Sequence, residues 1–291
     1  MRSRSELLGT IVLIVCWAAT LATIKIALWG FSPFQVAAGR CLIGALLLLP
    51  VAIASGRGPG LRDNWFSYLL LTLGNVVGFT GLQTYALQNL PSGLVAVLIY
   101  LQPVLVAVFA APVLGEPLGR AKLIGLLTAF AGIVVVSADA LGGRVSLVGV
   151  LCAIGSAVAW TFGTLTYRRC SDRVDPRWSV ALPFLVGGAV LAGLSVLQGD
   201  PPMRWELVPV IGLVISGAVG TGIAWLLYFW LVSTGGAGRT TSRIFFVPIL
   251  AIVIGAVALH ERLSITVLLG GALVVVGVWL ANRRSVISAP G

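Results

Sequence analysis

Residues 103–118 read PVLVAVFAAPVLGEPL, and residues 248–263 read PILAIVIGAVALHERL. The two stretches align at a constant offset of 145 residues. Each opens on a proline inside an apolar run, places an acid at Glu116 or Glu261, and ends on Leu118 or Leu263. The match continues downstream, where Gly125 and Gly132 answer Gly270 and Gly277. Glycines seven apart lie on one face of a helix and let a second helix approach closely. A looser match at an offset of 143 pairs Trp17 with Trp160 and Lys25 with Arg168. The chain therefore reads as a duplication, with one repeat over residues 1–140 and a second over residues 145–285.

The composition says which solvent this duplication folds in. Of the 291 residues, 58% are hydrophobic and only 10% are charged, and the mean hydropathy is +1.05. Soluble domains carry about 25% charged residues. The bilayer is the expected solvent, and there only helices and closed barrels satisfy the backbone. Barrel strands alternate apolar and polar residues. Here the runs are continuous, as in Leu42 to Ala54 and Leu123 to Val136, so the expected fold is an all-α membrane protein. Apolar segments fall at 6–28, 34–55, 64–89, 92–114, 119–138, 146–169, 177–197, 207–233, 238–259 and 264–282. That makes about ten transmembrane helices, each near the ~20 residues a span needs. Arg2 and Arg4 before the first run resemble a secretory leader, but the recurrence of that segment later in the chain argues that it is retained.

The net charge of +10 sits at helix ends, so topology explains it better than nucleic-acid binding, and no nucleic-acid partner is expected. With the N-terminus inside, fourteen Lys and Arg fall on the inner side, among them Arg57 and Arg173, and four on the outer: Lys25, Arg144, Arg204 and Arg262. By the positive-inside rule both termini are cytoplasmic. Five spans per repeat is an odd number, so the second repeat enters the membrane from the opposite side. The result is a 5+5 inverted repeat, an architecture recurrent in transporters, whose sites lie near the midplane between the halves.

The mid-segment proline, the Gly-Glu-Pro-Leu or His-Glu-Arg-Leu run, and the Gly-rich span that follows resemble the drug/metabolite transporter superfamily. They are most similar to the ten-helix exporters built from two EamA-type repeats. The resemblance covers nearly the whole chain. It implies efflux of small metabolites, most closely as in the exporters of aromatic and other amino acids, by alternating access through a central cavity. It also implies a multi-pass protein of the bacterial inner membrane, a monomer, with a small-molecule substrate and the lipid bilayer as partners. Efflux of other small molecules or drugs is the alternative within transport.

Several residues are candidates for lining the cavity. Trp17, Trp160 and Trp225 lie deep in their segments, where they serve either packing or an aromatic wall. Asn75, Phe79 and Leu82 share a helix face at i, i+4 and i+7, and an amide at membrane depth should face protein or water. Gln83 and Tyr85 lie nearer the segment end. Pro103 and Pro248 should kink their helices and free the carbonyls of Ile99 and Ile244. That makes the neighbouring Tyr100 and Phe245 cavity or gate residues, or else leaves a purely structural kink. Glu116 and Glu261 are expected to pair locally at helix ends with Arg120 and Arg262. Arg40 lies well inside an apolar segment and needs a partner or an aqueous path.

No Asp or Glu lies mid-segment, and the one histidine, His260, sits at a loop edge. The small four-helix relatives in the superfamily carry a Glu in their first helix, where this chain has Trp17 and Thr20. Neutral or zwitterionic substrates are therefore expected rather than cationic drugs. The four cysteines form no CxxC or Cys/His cluster, so no metal, cofactor or disulfide is expected. An intramembrane enzyme is the rival from another class. His260–Glu261 begins a zinc-protease pattern, but no second histidine completes it, and no GxSxG elbow is present.

Overall fold

The computed structural model describes residues 4–114, 120–141, 145–235, 244–261 and 264–282. Among these residues every regular element is a helix, and there are no strands. Six helices are long and apolar enough to cross a membrane, and four shorter apolar helices accompany them. In order they are α1 (Arg4–Ala27), α2 (Pro33–Ala54), α3 (Leu61–Asn89), α4 (Ser92–Ile99 and Gln102–Leu114) and α5 (Arg120–Leu141). The second half holds α6 (Leu147–Cys170), α7 (Pro176–Gln198), α8 (Leu207–Ile215 continuing to Gly235), α9 (Val247–Ala258 after a 3-10 turn, Ile244–Phe246) and α10 (Ile265–Asn282). Each long span buries about half of its residues against neighbours, 44–50%. The other face stays apolar, with Leu7, Ile11, Leu46, Phe66 and Leu151 all exposed. A surface that is apolar all round fits lipid and not water.

The helix ends follow from local chemistry. Ser32 caps α2 in a capping box with Gln35, and Pro33 takes the first turn, where its missing N–H is not needed. At α7, 143 residues later, Asp175 caps by accepting from the Arg177 N–H and Pro176 takes the first turn, without a capping box. Gly199 ends α7 at φ +71°, a left-handed conformation that suits glycine. The Ser32 and Ser195 hydroxyls then donate to the same Asp200 carboxylate oxygen at 2.5 and 2.7 Å, tying the exit of α7 to the entry of α2.

Exchanging the halves preserves the packing. Helix α1 lies on α8 and α9, as α6 lies on α3 and α4, while α2 pairs with α7 and α5 with α10. The α5–α10 seam shows the direction. A Cβ on Gly132 would meet the Gly270 carbonyl oxygen at 2.5 Å, and one on Gly277 would meet the Gly125 carbonyl oxygen at 2.6 Å. The four repeat glycines thus pair reciprocally, and the two equivalent helices run antiparallel. The halves are inverted relative to each other.

Three features stand out: the first and third depart from the helices expected, while the second is the interruption expected at Pro103. Both α3 and α8 widen into π-helix mid-span, at Thr72–Gly81 and Ser216–Ile223. Each is stitched by a threonine hydroxyl donating five residues back, Thr80 to the Asn75 carbonyl at 3.1 Å and Thr221 to the Ser216 carbonyl at 3.0 Å. The clustered glycines Gly74, Gly78, Gly217 and Gly220 let these stretches press onto α6, α2 and α1, where a Cβ would clash. Second, α4 breaks at Tyr100–Leu101, just before Pro103. Third, Pro248 does not kink a continuous helix. It sits in the first turn of α9, directly after the 3-10 turn.

Candidate functional site

The deep aromatic residues converge between the halves. Trp17 from α1 meets Trp160 from α6 edge to face, with ring centroids 5.4 Å apart. Trp225 from α8 lies 5.9 Å from Trp17, and Phe79 from α3 lies 5.0 Å from Trp160. Tyr100, at the break in α4, lies 5.7 Å from Trp160. These five enclose one cavity together with Thr20, Leu21, Arg40, Gln83, Ala96 and Ile99. Each ring is 8% exposed or less. The free space between them is about 20 Å³, room for about one water. A larger guest requires the walls to part, so this is a closed conformation.

The break at Tyr100 explains how α4 contributes. Pro103 has no N–H for the Ile99 carbonyl, the helix interrupts there, and both Ile99 and Tyr100 line the cavity. Asn75 does not line it. The π stretch shifts the register, so Asn75 turns away from Phe79 and packs on Gly163 of α6. Its amide is buried there without a hydrogen-bond partner. The side chain of Phe245 and the whole of Glu116 lie outside the described residues. Tyr228, which the sequence reading did not single out, closes the cluster behind Trp17 at 5.1 Å. Its spacing of three from Trp225 places it on the same helix face.

The polar members are more telling. Arg40 is 2% exposed. Its Nε donates to the Thr221 hydroxyl at 3.1 Å and its Nη1 to the Gln83 side-chain oxygen at 2.9 Å. No carboxylate among the described residues pairs with it. The repeat-equivalent position in α7 is Pro183, so the charge belongs to one half only. The indole N–H of Trp160 is also buried, and it has no acceptor among the described residues.

A polar cluster joins α1, α4 and the end of α9 beyond the cavity lining. Lys25, two turns or about 12 Å beyond Trp17 along α1, forms an ion pair with Glu261 at 2.9 Å. The Glu261 carboxylate also accepts the Ser92 backbone N–H at 2.8 Å and the Ser92 hydroxyl at 2.7 Å, at the start of α4. The first-half helices α1 and α4 are thereby fastened to the end of α9. The partners seen come from the other half; Arg262, the local partner expected, lies outside the described residues. Burial acts to raise the Glu261 pKa, but the Ser92 N–H, the Lys25 ammonium and the Ser92 hydroxyl outweigh it and hold the carboxyl below its ordinary value.

A model of the EamA-like transporter family matches residues 4–138 and again residues 147–283. The chain belongs to that family. An uncharacterized transporter of Bacillus subtilis, YvbV, is 37% identical over 280 residues, spanning 94% of this chain and 90% of that one. A WAT1-related chloroplastic protein of Arabidopsis thaliana is 30% identical over 277 residues, 91% of this chain and 66% of its own. A solved crystal structure superposes with a TM-score of 0.70 at 26% identity, covering 96% of this chain and 98% of that one. The protein is thus a multi-pass membrane transporter of small molecules, and its family is one of transporters.

Proposed function

We propose that this EamA-family protein exports small metabolites, amino acids above all, across the bacterial inner membrane by alternating access. The aromatic cage between the halves carries the reading. Five rings drawn from α1, α3, α4, α6 and α8 converge on one point that both repeats share. Stacking and edge contacts suit the side chain of an aromatic or aliphatic amino acid. Rocking of one half against the other exposes this point to each side in turn, as inverted repeats permit. The Lys25–Glu261–Ser92 cluster acts as the latch on one side, the outer one if both termini are cytoplasmic. The protein works as a monomer, since each chain contains both halves of the cavity.

Arg40 in the cavity wall disfavours cationic drugs as substrates, since two like charges would share a dry site. The test is reconstitution of the purified protein in liposomes loaded with a mixed pool of labelled amino acids. Net efflux above protein-free liposomes, saturable and blocked by excess unlabelled substrate, is the expected result. Release of none of the pool sinks the amino-acid reading.

A further inference from the structure

We infer that Arg40 is the anchor for a single carboxylate group, and that the ligand is a small monoanionic head on an apolar, preferably aromatic, body. The inference deepens the transport reading above and rests on it.

Arg40 carries a charge with no counter-charge among the described residues. Arg40 lies seven residues, or about 10 Å, inside the start of α2, and is 2% exposed. Arginine is effectively always protonated. A guanidinium offers five N–H donors in a planar fork. Two are used, on the neutral acceptors Thr221 and Gln83. The rest, including both on Nη2, meet no protein acceptor among the described residues. If the task were only to bridge α2, α3 and α8, a neutral amide would serve without the penalty of an unpaired buried cation. An arginine there is explained by a partner that comes and goes.

The same cavity holds a second unmet donor, the Trp160 indole N–H. Gln83 accepts from Arg40 through its oxygen, so its amide N–H groups face outward from that bond as further donors. The polar side of the cavity is therefore donor-rich and carries one positive charge. A carboxylate matches the arginine fork with two parallel hydrogen bonds and balances that single charge. A phosphate dianion would remain undercompensated, because Arg40 is the one charged group among the described residues of the lining. Trp17, Phe79, Tyr100 and Trp225 supply the apolar remainder of the wall, and an ammonium next to the carboxylate would rest on a ring face.

The test compares four probes of one shape: L-phenylalanine, 3-phenylpropanoate, 3-phenylpropanamide and phenethylamine. Binding to the purified full chain is read by quenching of tryptophan fluorescence and flux by proteoliposome efflux. The wild type is expected to bind 3-phenylpropanoate at least about tenfold more tightly than the isosteric amide, since a site built to pair a charge rejects the analogue without it. Arg40→Gln, which keeps a donor for Thr221 or Gln83, should lose that preference while its affinity for the amide stays within about twofold. Its melting temperature without probe should equal or exceed the wild type's, because a buried unpaired charge is removed. Arg40→Lys, which keeps the charge but not the fork, should fall in between. Equal binding of acid and amide by the wild type overturns the inference without any variant, as does an acid preference that survives Arg40→Gln, or binding of neither acid. Arg40-dependent binding of 3-phenylpropanoate without transport of phenylalanine sinks the amino-acid reading alone. Phenylalanine efflux indifferent to Arg40→Gln sinks the anchor alone.

Discussion

Trp17 and Trp160 occupy equivalent positions 143 residues apart in the two repeats, and their rings meet at 5.4 Å and 89°. A residue that touches its own repeat counterpart lies at the pseudo-two-fold axis. This pair therefore marks the place that both halves approach equally. Replacing either tryptophan by alanine should lower efflux about tenfold, the equivalent of ~1.4 kcal/mol. Trp279→Ala on α10, where the ring is 44% exposed, should change efflux by less than about twofold. Equal losses at all three positions would refute a special role for the axis.

The latch at Glu261 predicts an acid-side sensitivity. Its carboxyl is held below the ordinary value in the folded protein. The stabilisation is therefore fully present above the unfolded-state pKa and is lost as pH falls through the folded-state value. Thermal unfolding in detergent, followed from neutral pH downward, should show a falling melting temperature in that acid range. Glu261→Gln should lower the plateau and flatten this limb. A variant curve parallel to the wild type's would show that other carboxylates govern it.

Gly132→Ala should destabilise the protein by about 1–3 kcal/mol, because the added Cβ meets backbone, the Gly270 carbonyl oxygen at 2.5 Å and the Val274 nitrogen at 2.7 Å. Gly193→Ala, on α7 with open space around it, should leave the melting temperature unchanged or slightly raised, and serves as the comparison.

Orientation is tested by single-cysteine reporters in a background without the four native cysteines. Reporters at positions 57 and 173 should be shielded from an impermeant reagent in intact cells, and one at position 144 should react. Reaction at 57 with protection at 144 would reverse the assignment of the termini.

No carboxylate among the described residues lines the cavity, and Arg40 does not titrate in the physiological range. The protein should act as a facilitator: in proteoliposomes, amino acid should run down its own gradient whether or not a pH gradient is imposed. Concentrative uptake that needs the pH gradient and collapses with a protonophore would overturn this and direct attention to Glu261 or His260.

The spans were legible because an apolar run of about 20 residues has one physical meaning, and the seam because Gly125, Gly132, Gly270 and Gly277 keep their spacing in both repeats. Trp17, Phe79, Tyr100, Trp160 and Trp225 could be placed at cavity depth from sequence for the same reason. Asn75 could not be aimed, since its direction depends on a π stretch, and α-helical periodicity has no term for an extra residue per turn. The partner of Glu261 lies 169 residues away at Ser92, and no local pattern announces a contact between halves. Arg40 was visible as an anomaly, but its neutral partners Gln83 and Thr221 come from helices that only the fold brings beside it.

The glycine seam between α5 and α10 ties the histories of the two repeats together. Each contact there joins a position in one repeat to a different position in the other, Gly132 with Gly270 and Gly125 with Gly277. A bulky change at Gly132 or Gly277 collides with the opposite repeat's backbone, which no substitution there can move aside. The halves are free to drift where they face lipid, as the unlike residues Arg40 and Pro183 show they can even in the interior. Along this line they cannot drift separately, and the duplication stays readable there long after the rest of the two copies has diverged.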